Sequence, residues 1–144
     1  MNAARDERLI RLGDAMSAQV GGQAVVLAYP RQVAEYLPLL SANLKTMVFR
    51  DELLLARQAG ITEANAVQRD ADYALFANPA TPDEARLQML ARYRIRLIVQ
   101  EHPNRALRRF IGEHPTLFTT GEVEGFTVYR FDLDSYLASP TSSH

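Results

Sequence analysis

Apolar residues at Leu9, Leu12, Met16 and Val20, with Ile10 beside them, recur in steps of three and four across Asp6–Val20. That spacing predicts a helix with one inward face, ended by Gly21-Gly22. The pattern then changes. Ala24-Val25-Val26-Leu27-Ala28 is an unbroken apolar run, the signature of a central strand buried on both faces. Pro30 stops it and suits the start of a helix. Val33, Tyr36, Leu37 and Leu40 form a second, short helical face, with Pro38 predicting a kink inside it. Lys45–Phe49 reads as a strand, Asp51–Ala59 as a helix stopped by Gly60, and Thr62–Phe76 as a weaker helix with Ala64, Val67 and Ala71 on one side. Asn78-Pro79-Ala80 is a loop.

The clearest local signal is Thr81-Pro82-Asp83-Glu84. Thr81 and Glu84 have the spacing of a capping box, in which each side chain bonds the other's backbone amide. Pro82 fits the first helical position, where its missing amide costs nothing, and the two acids favour the positive helix end. Leu87, Leu90 and Ala91 are predicted to face the core, and Ile95–Val99 is the following strand. Asn104–Ile111 is a short helix with Leu107, Phe110 and Ile111 inward, closed by Gly112. Leu117–Thr120 and Phe126–Phe131 are strands joined across Gly121–Gly125 as an antiparallel hairpin. The alternation of helices and strands predicts an α/β fold in three layers. Its central sheet is mostly parallel, with helices on both faces and the antiparallel hairpin at the C-terminal end. Residues 1–138 make a single domain, and the polar tail 139–144 is expected to be disordered.

Composition narrows the function classes. The chain is 47% hydrophobic and 23% charged, ordinary values for a globular domain. Sixteen basic against seventeen acidic residues leave a formal charge of -1, which gives no reason to expect nucleic acid as a partner. There is no cysteine, so a disulfide framework, a thiolate zinc site and a cysteine nucleophile are excluded. No apolar run approaches the ~20 residues of a membrane-spanning helix. Met1–Arg8 is polar and lacks the apolar core of a secretion signal.

Chemistry-bearing residues are few. Ligands in open α/β sheets bind beyond the carboxyl ends of strands, which singles out Tyr29 and Arg31 after the first strand and Glu101 and His102 after Ile95–Val99. Arg31 near a helix start could clamp an anion. A Glu101–His102 pair could transfer a proton. Glu113-His114-Pro115 repeats the triplet Glu101-His102-Pro103 twelve residues on. A helix length separates the two triplets, so they do not make one metal site, and each proline marks an element boundary. Asp132-Leu133-Asp134 has the form of an Asp-x-Asp metal motif but no glycine-rich phosphate loop accompanies it; the simpler reading is a cap on the turn at Ser135. The arginines at 92, 94, 96, 105, 108 and 109 are read as a solvated face with local charge pairing. No cofactor and no metal is implied.

Several segments together resemble the soluble C-terminal domain of bacterial GT-C-type glycosyltransferases and related polytopic membrane proteins. They are Val25–Ala28 followed by Pro30, Glu35–Ser41 with its internal Leu37-Pro38, Lys45–Phe49, Leu90–Val99, and Phe118 followed by Gly125–Phe131. The likeness covers roughly Asp6 to Asp132 and lies mainly in core pattern. In that family membrane helices precede the domain and the catalytic acids lie in loops of the membrane part. No catalytic residue is therefore carried over to this chain. The resemblance implies a non-catalytic accessory module, either excised or free-standing. Its partner would be a membrane-embedded part, a glycan or lipid-linked substrate, or another subunit, and it would sit on the extracytoplasmic face. A free-standing small-ligand binding or regulatory protein, cytoplasmic in that case, is the alternative. An enzyme using Glu101 and His102 is the third reading.

Overall fold

The computed structural model describes residues 3–20, 24–29, 33, 44–46, 63–102 and 104–138. Among the described residues ten elements follow in order: α1 (Ala3–Val20), β1 (Ala24–Tyr29), β2 (Leu44–Thr46), α2 (Glu63–Ala77), α3 (Asp83–Arg92), β3 (Ile95–Gln100), α4 (Arg105–Gly112), β4 (Phe118–Val123), β5 (Phe126–Phe131) and α5 (Leu133–Ala138). Residues expected to form the kinked helix near Pro38, the helix Asp51–Ala59, the end of the second strand and the tail lie outside the described residues, Val33 excepted.

The five strands form one sheet in the order β2-β1-β3-β5-β4. β1 pairs in parallel with both β2 and β3, whereas β5 pairs antiparallel with both β3 and β4. The sheet is thus mixed in equal parts among the described residues, where the sequence predicted a mostly parallel one. The reason is the place of the hairpin. β5 enters beside β3 instead of lying at the rim, so one hairpin contributes two antiparallel ladders.

The predicted hairpin itself is present but tighter than expected. β4 continues to Val123, and only Glu124 and Gly125 form the turn. Both have positive φ, 54° and 84°, as a two-residue turn matching the strand twist requires. Arg8 holds this turn from α1: its Nε donates to the Glu124 carbonyl at 2.9 Å, and its guanidinium lies 4.8 Å from the Phe126 ring centre.

Strand parity sorts the core. Val26, Ala28, Leu97, Val99, Phe126 and Val128 share one face of the sheet; Leu27, Tyr29, Ile98, Gln100, Tyr129 and Phe131 share the other. On the second face an aromatic chain runs through the helices. Phe76 of α2 meets Phe110 of α4 edge-on at 6.0 Å, Phe110 meets Phe118 at 5.5 Å, Phe118 meets Phe131 at 5.1 Å, and Phe131 meets Tyr136 of α5 at 5.9 Å. Such pairs add about 0.5–1.5 kcal/mol each beyond the area they bury. Leu9, Leu12 and Met16 bury the predicted face of α1, while Ile10 stays exposed.

Two helix readings need correction. Thr81 and Glu84 do not form a capping box. The N-cap of α3 is Pro82, with no side-chain cap bond, and Thr81 Oγ1 instead donates to the Leu75 carbonyl at 2.5 Å. The Leu75 carbonyl at the end of α2, which also accepts from the Asn78 amide, turns the Thr81 hydroxyl towards itself. The inward face of α2 is Asp72, Tyr73 and Phe76, while Val67 and Ala71 point outward. In α3, Leu87 and Leu90 are buried as expected, Ala91 is half-buried, and Met89 and Arg86 join the interior.

Candidate functional site

Parallel pairing of β1 and β3 sets Tyr29 beside Gln100, and the Glu101 amide donates to the Tyr29 carbonyl at 2.9 Å. Three of the four residues singled out from sequence, Tyr29, Glu101 and His102, therefore gather at the strand ends. Arg31 lies outside the described residues.

Their side chains play unequal parts. Tyr29 stacks on Tyr73 with ring centres 4.4 Å apart. Its hydroxyl donates to the Tyr73 carbonyl at 2.7 Å, and the Tyr73 hydroxyl donates to the Ala28 carbonyl at 2.5 Å. This reciprocal pair clasps α2 to β1. Burial, with the neighbouring Tyr73 phenol, holds the Tyr29 phenol well above its ordinary pKa, so it is a protonated hydrogen-bond donor. Glu101 is largely buried, but the His102 side chain is 88% exposed, with Nε2 3.8 Å from Glu101 Oε1. That separation exceeds hydrogen-bond length.

The residue that sequence reading passed over is Gln100. It is 1% exposed, and its Oε1 is the one buried side-chain atom without a hydrogen-bond partner among the described residues. A buried acceptor left unpaired costs about 1–3 kcal/mol. The signal was available: in the run Ile95–Gln100, Gln100 is a polar residue on a strand that alternation and hydropathy place inside.

Nearby polar groups are satisfied. Arg86, fully buried, donates through Nε to the Phe76 carbonyl at 2.8 Å and through Nη2 to the Asn78 carbonyl at 2.7 Å. It thereby closes the end of α2. Asp72, also buried, accepts from the Tyr93 hydroxyl, from Arg92 Nη1 at 3.2 Å and from Gln68 Nε2 at 3.0 Å. Burial, followed by the bond to Asp72, raises the Tyr93 phenol pKa.

A second polar cluster forms where α3 begins. Asp83 meets His114 Nε2 at 3.4 Å, Arg86 Nη1 at 3.4 Å and Arg109 Nη2 at 3.7 Å. No local pattern announces it, because Asp83 and His114 are brought together by packing alone. His102 and His114 remain at opposite ends of α4, as their spacing implied. Asp132 is a cap: Oδ1 accepts from the Ser135 amide at 3.1 Å and Oδ2 from the Ser135 hydroxyl at 2.7 Å. Those bonds hold its carboxyl below the usual range. Asp134 faces Arg96 at 3.5 Å. Among the described residues no group of three or more His, Cys, Asp or Glu could hold a metal ion, and no helix is long and apolar enough to cross a membrane. Compared with known proteins, the chain matches no family model, no curated protein and no solved structure.

Proposed function

We propose that this chain is a non-catalytic accessory module, similar to the soluble C-terminal domain of bacterial membrane glycosyltransferases. Its role is to pack against a membrane-embedded part or hold a glycan, lipid-linked substrate or partner at the extracytoplasmic face. One observation carries the reading: among the described residues, Tyr29, Arg86 and Asp132 are spent on architecture, and the His102 imidazole pairs with no base at hydrogen-bond distance. The Tyr29 hydroxyl clasps α2, Arg86 closes the same helix, Asp132 caps α5, and His102 stands in solvent. A catalytic constellation keeps its acid and base within about 3 Å of each other or of substrate; a scaffold uses them as these are used.

The three-layer form belongs to this proposal. Arg8 of α1 lies over Phe126, whereas Phe110 of α4 meets Phe118 and Tyr73 of α2 meets Tyr29. Strand parity sets Phe126 on the face opposite Phe118 and Tyr29, which supports helices on both sides.

The test is the native reading frame. In-frame apolar spans preceding residue 1 support the module reading, and a frame that opens there without them counts against it. Gln100 favours a second reading, a free-standing small-ligand binder whose ligand donates a hydrogen bond to Oε1. A fragment screen followed by amide NMR tests that reading. Saturable shifts centred on Tyr29, Gln100 and Glu101 would support it, and their absence would remove it.

A further inference from the structure

β4 forms one edge of the sheet, and that edge is open. Thr119, Thr120, Gly121 and Glu122 are all exposed. Successive side chains of a strand point to opposite faces, so four exposed residues in a row leave this strand uncovered on both sides. Its pairing with β5 runs in unbroken register from Phe118 to Val123. The usual guards of a free edge are proline, lysine and a bulge. β4 has none of them and carries a single charge, at Glu122.

The backbone of β4 alternates as well. The Asp132 amide donates to the Leu117 carbonyl at 2.8 Å, so Leu117 turns towards the β5 side. In an antiparallel ladder every second residue does the same, here Thr119, Gly121 and Val123. Phe118, Thr120 and Glu122 therefore turn their amides and carbonyls outward, where no element among the described residues meets them.

Two unmatched charges stand beside this edge. Thr120 lies opposite Tyr129 and Glu122 opposite Thr127, on the sheet face that α4 covers. A hollow of about 280 Å³ runs between α4 and the edge, with Arg108, Ile111, Phe118, Thr120 and Tyr129 in its walls. Arg108 and Glu122 are exposed. Neither side chain has a salt bridge or hydrogen bond among the described residues. One face of the edge thus offers a cation near Phe118 and an anion at Glu122.

We propose that β4 pairs antiparallel with β4 of a second copy of this chain, about a two-fold axis at Thr120. That register sets all three outward residues against outward residues. Thr120 meets its own counterpart, and Phe118 meets Glu122 in both directions, each pair exchanging two hydrogen bonds. Sliding one copy by two residues loses one of these pairs. The side chains agree with the backbone. Thr120 against Thr120 is a favourable cross-strand pair, and the half-buried Leu117 meets the half-buried Val123. Glu122 of each copy falls one strand spacing, about 4.8 Å, from Phe118 of the other, on the face where the hollow brings Arg108 to Phe118. Both charges are then matched once on each side of the axis, as an isologous interface requires. A pairing centred on Glu122 sets two carboxylates against each other and is disfavoured.

Sedimentation velocity over a concentration series, combined with amide hydrogen exchange, tests the pairing. A dimer is expected, with the Phe118, Thr120 and Glu122 amides slowing as it forms. Thr120→Pro removes an outward amide and no ladder bond within the chain. The monomer should stay folded by circular dichroism while the dissociation constant rises about tenfold or more. Glu122→Arg sets like charges together and raises it about tenfold, and adding Arg108→Glu restores it to within about threefold of the parent. This charge exchange alters exposed side chains only, and it decides the matter if Thr120→Pro does not fold. A chain that stays monomeric up to about 1 mM overturns the proposal. So does a dimer whose three outward amides exchange as fast as in the monomer, a dimer that folded Thr120→Pro leaves intact, or a charge exchange that restores nothing.

Discussion

Arg86 and Gln100 are both removed from water, and the protein treats them in opposite ways. Arg86 carries a charge, the costlier group to bury, yet its donors reach two carbonyls and a carboxylate. Gln100 is neutral and cheaper to bury, yet its Oε1 is left without a partner. Burial alone therefore does not tell which polar group is structural and which is available. The difference lies in completion: a satisfied group holds the fold, and an unsatisfied one marks a place where something else can bind.

The largest expected effect comes from undoing the satisfied case. Arg86→Met strands the Phe76 carbonyl and weakens the hold on Asn78, and should lower stability by about 3 kcal/mol at about 1–3 kcal/mol per stranded group. Urea denaturation measures it, and a loss below about 1 kcal/mol would collapse the contrast with Gln100. Asp72→Asn removes the charge from another completed site. With charge-assisted bonds worth about 1.5–3 kcal/mol, a loss of about 2 kcal/mol in the same assay is expected. Gln100→Leu should go the other way. Replacing an unpaired acceptor by an apolar side chain of similar size leaves stability unchanged or raises it by up to about 1 kcal/mol. A clear loss would mean that Oε1 has a partner after all.

The smallest effect concerns an exposed carboxylate, Asp132, whose pKa is depressed in the fold by Ser135. The sign follows from linkage. Its contribution is fully present above the ordinary aspartate pKa of about 3.9 and is lost as pH falls through the lower folded value. Ser135→Ala should therefore make the acid limb of the melting-temperature profile shallower between about pH 4 and pH 2, with little change at pH 7. An unchanged acid limb would show that the cap contributes nothing measurable.

Local pattern made much of the fold legible. α4 was readable end to end because Asn104 caps it, accepting from the amides of Ala106 and Leu107, and because Leu107, Phe110 and Ile111 are an unmixed apolar face. The α3–β3 segment was readable from Pro82 at its start, Leu87 and Leu90 inside, and the apolar run of β3. Other parts depended on contacts that no short window contains. Thr81 had the spacing of a cap with Glu84, but its hydroxyl is turned to the Leu75 carbonyl at the end of α2. Asp72 is interior because Arg92 and Tyr93, twenty and twenty-one residues on in the chain, complete it. Gly121–Val123 lacked strand character, yet β4 pairs them with Phe126–Val128, since backbone hydrogen bonds do not depend on the side chain. Of the candidate site, the chain positions were legible and their use was not. Whether a hydroxyl or carboxylate is free depends on its neighbours in space.

The corner that Arg86 and Thr81 tie together also bears on the order of assembly. Their bonds span only six, eight and ten residues, and loops of that size close in about 10–100 ns. β1 and β3 must instead find each other across the whole intervening chain, Val26 meeting Leu97, a search that is slow because closure entropy comes before any contact. The α2–α3 corner is thus expected to be ordered before the sheet registers, giving β3 an anchored start. Kinetics of Arg86→Met report this: slower folding with unchanged unfolding places the corner in the transition state, and faster unfolding alone places it afterwards.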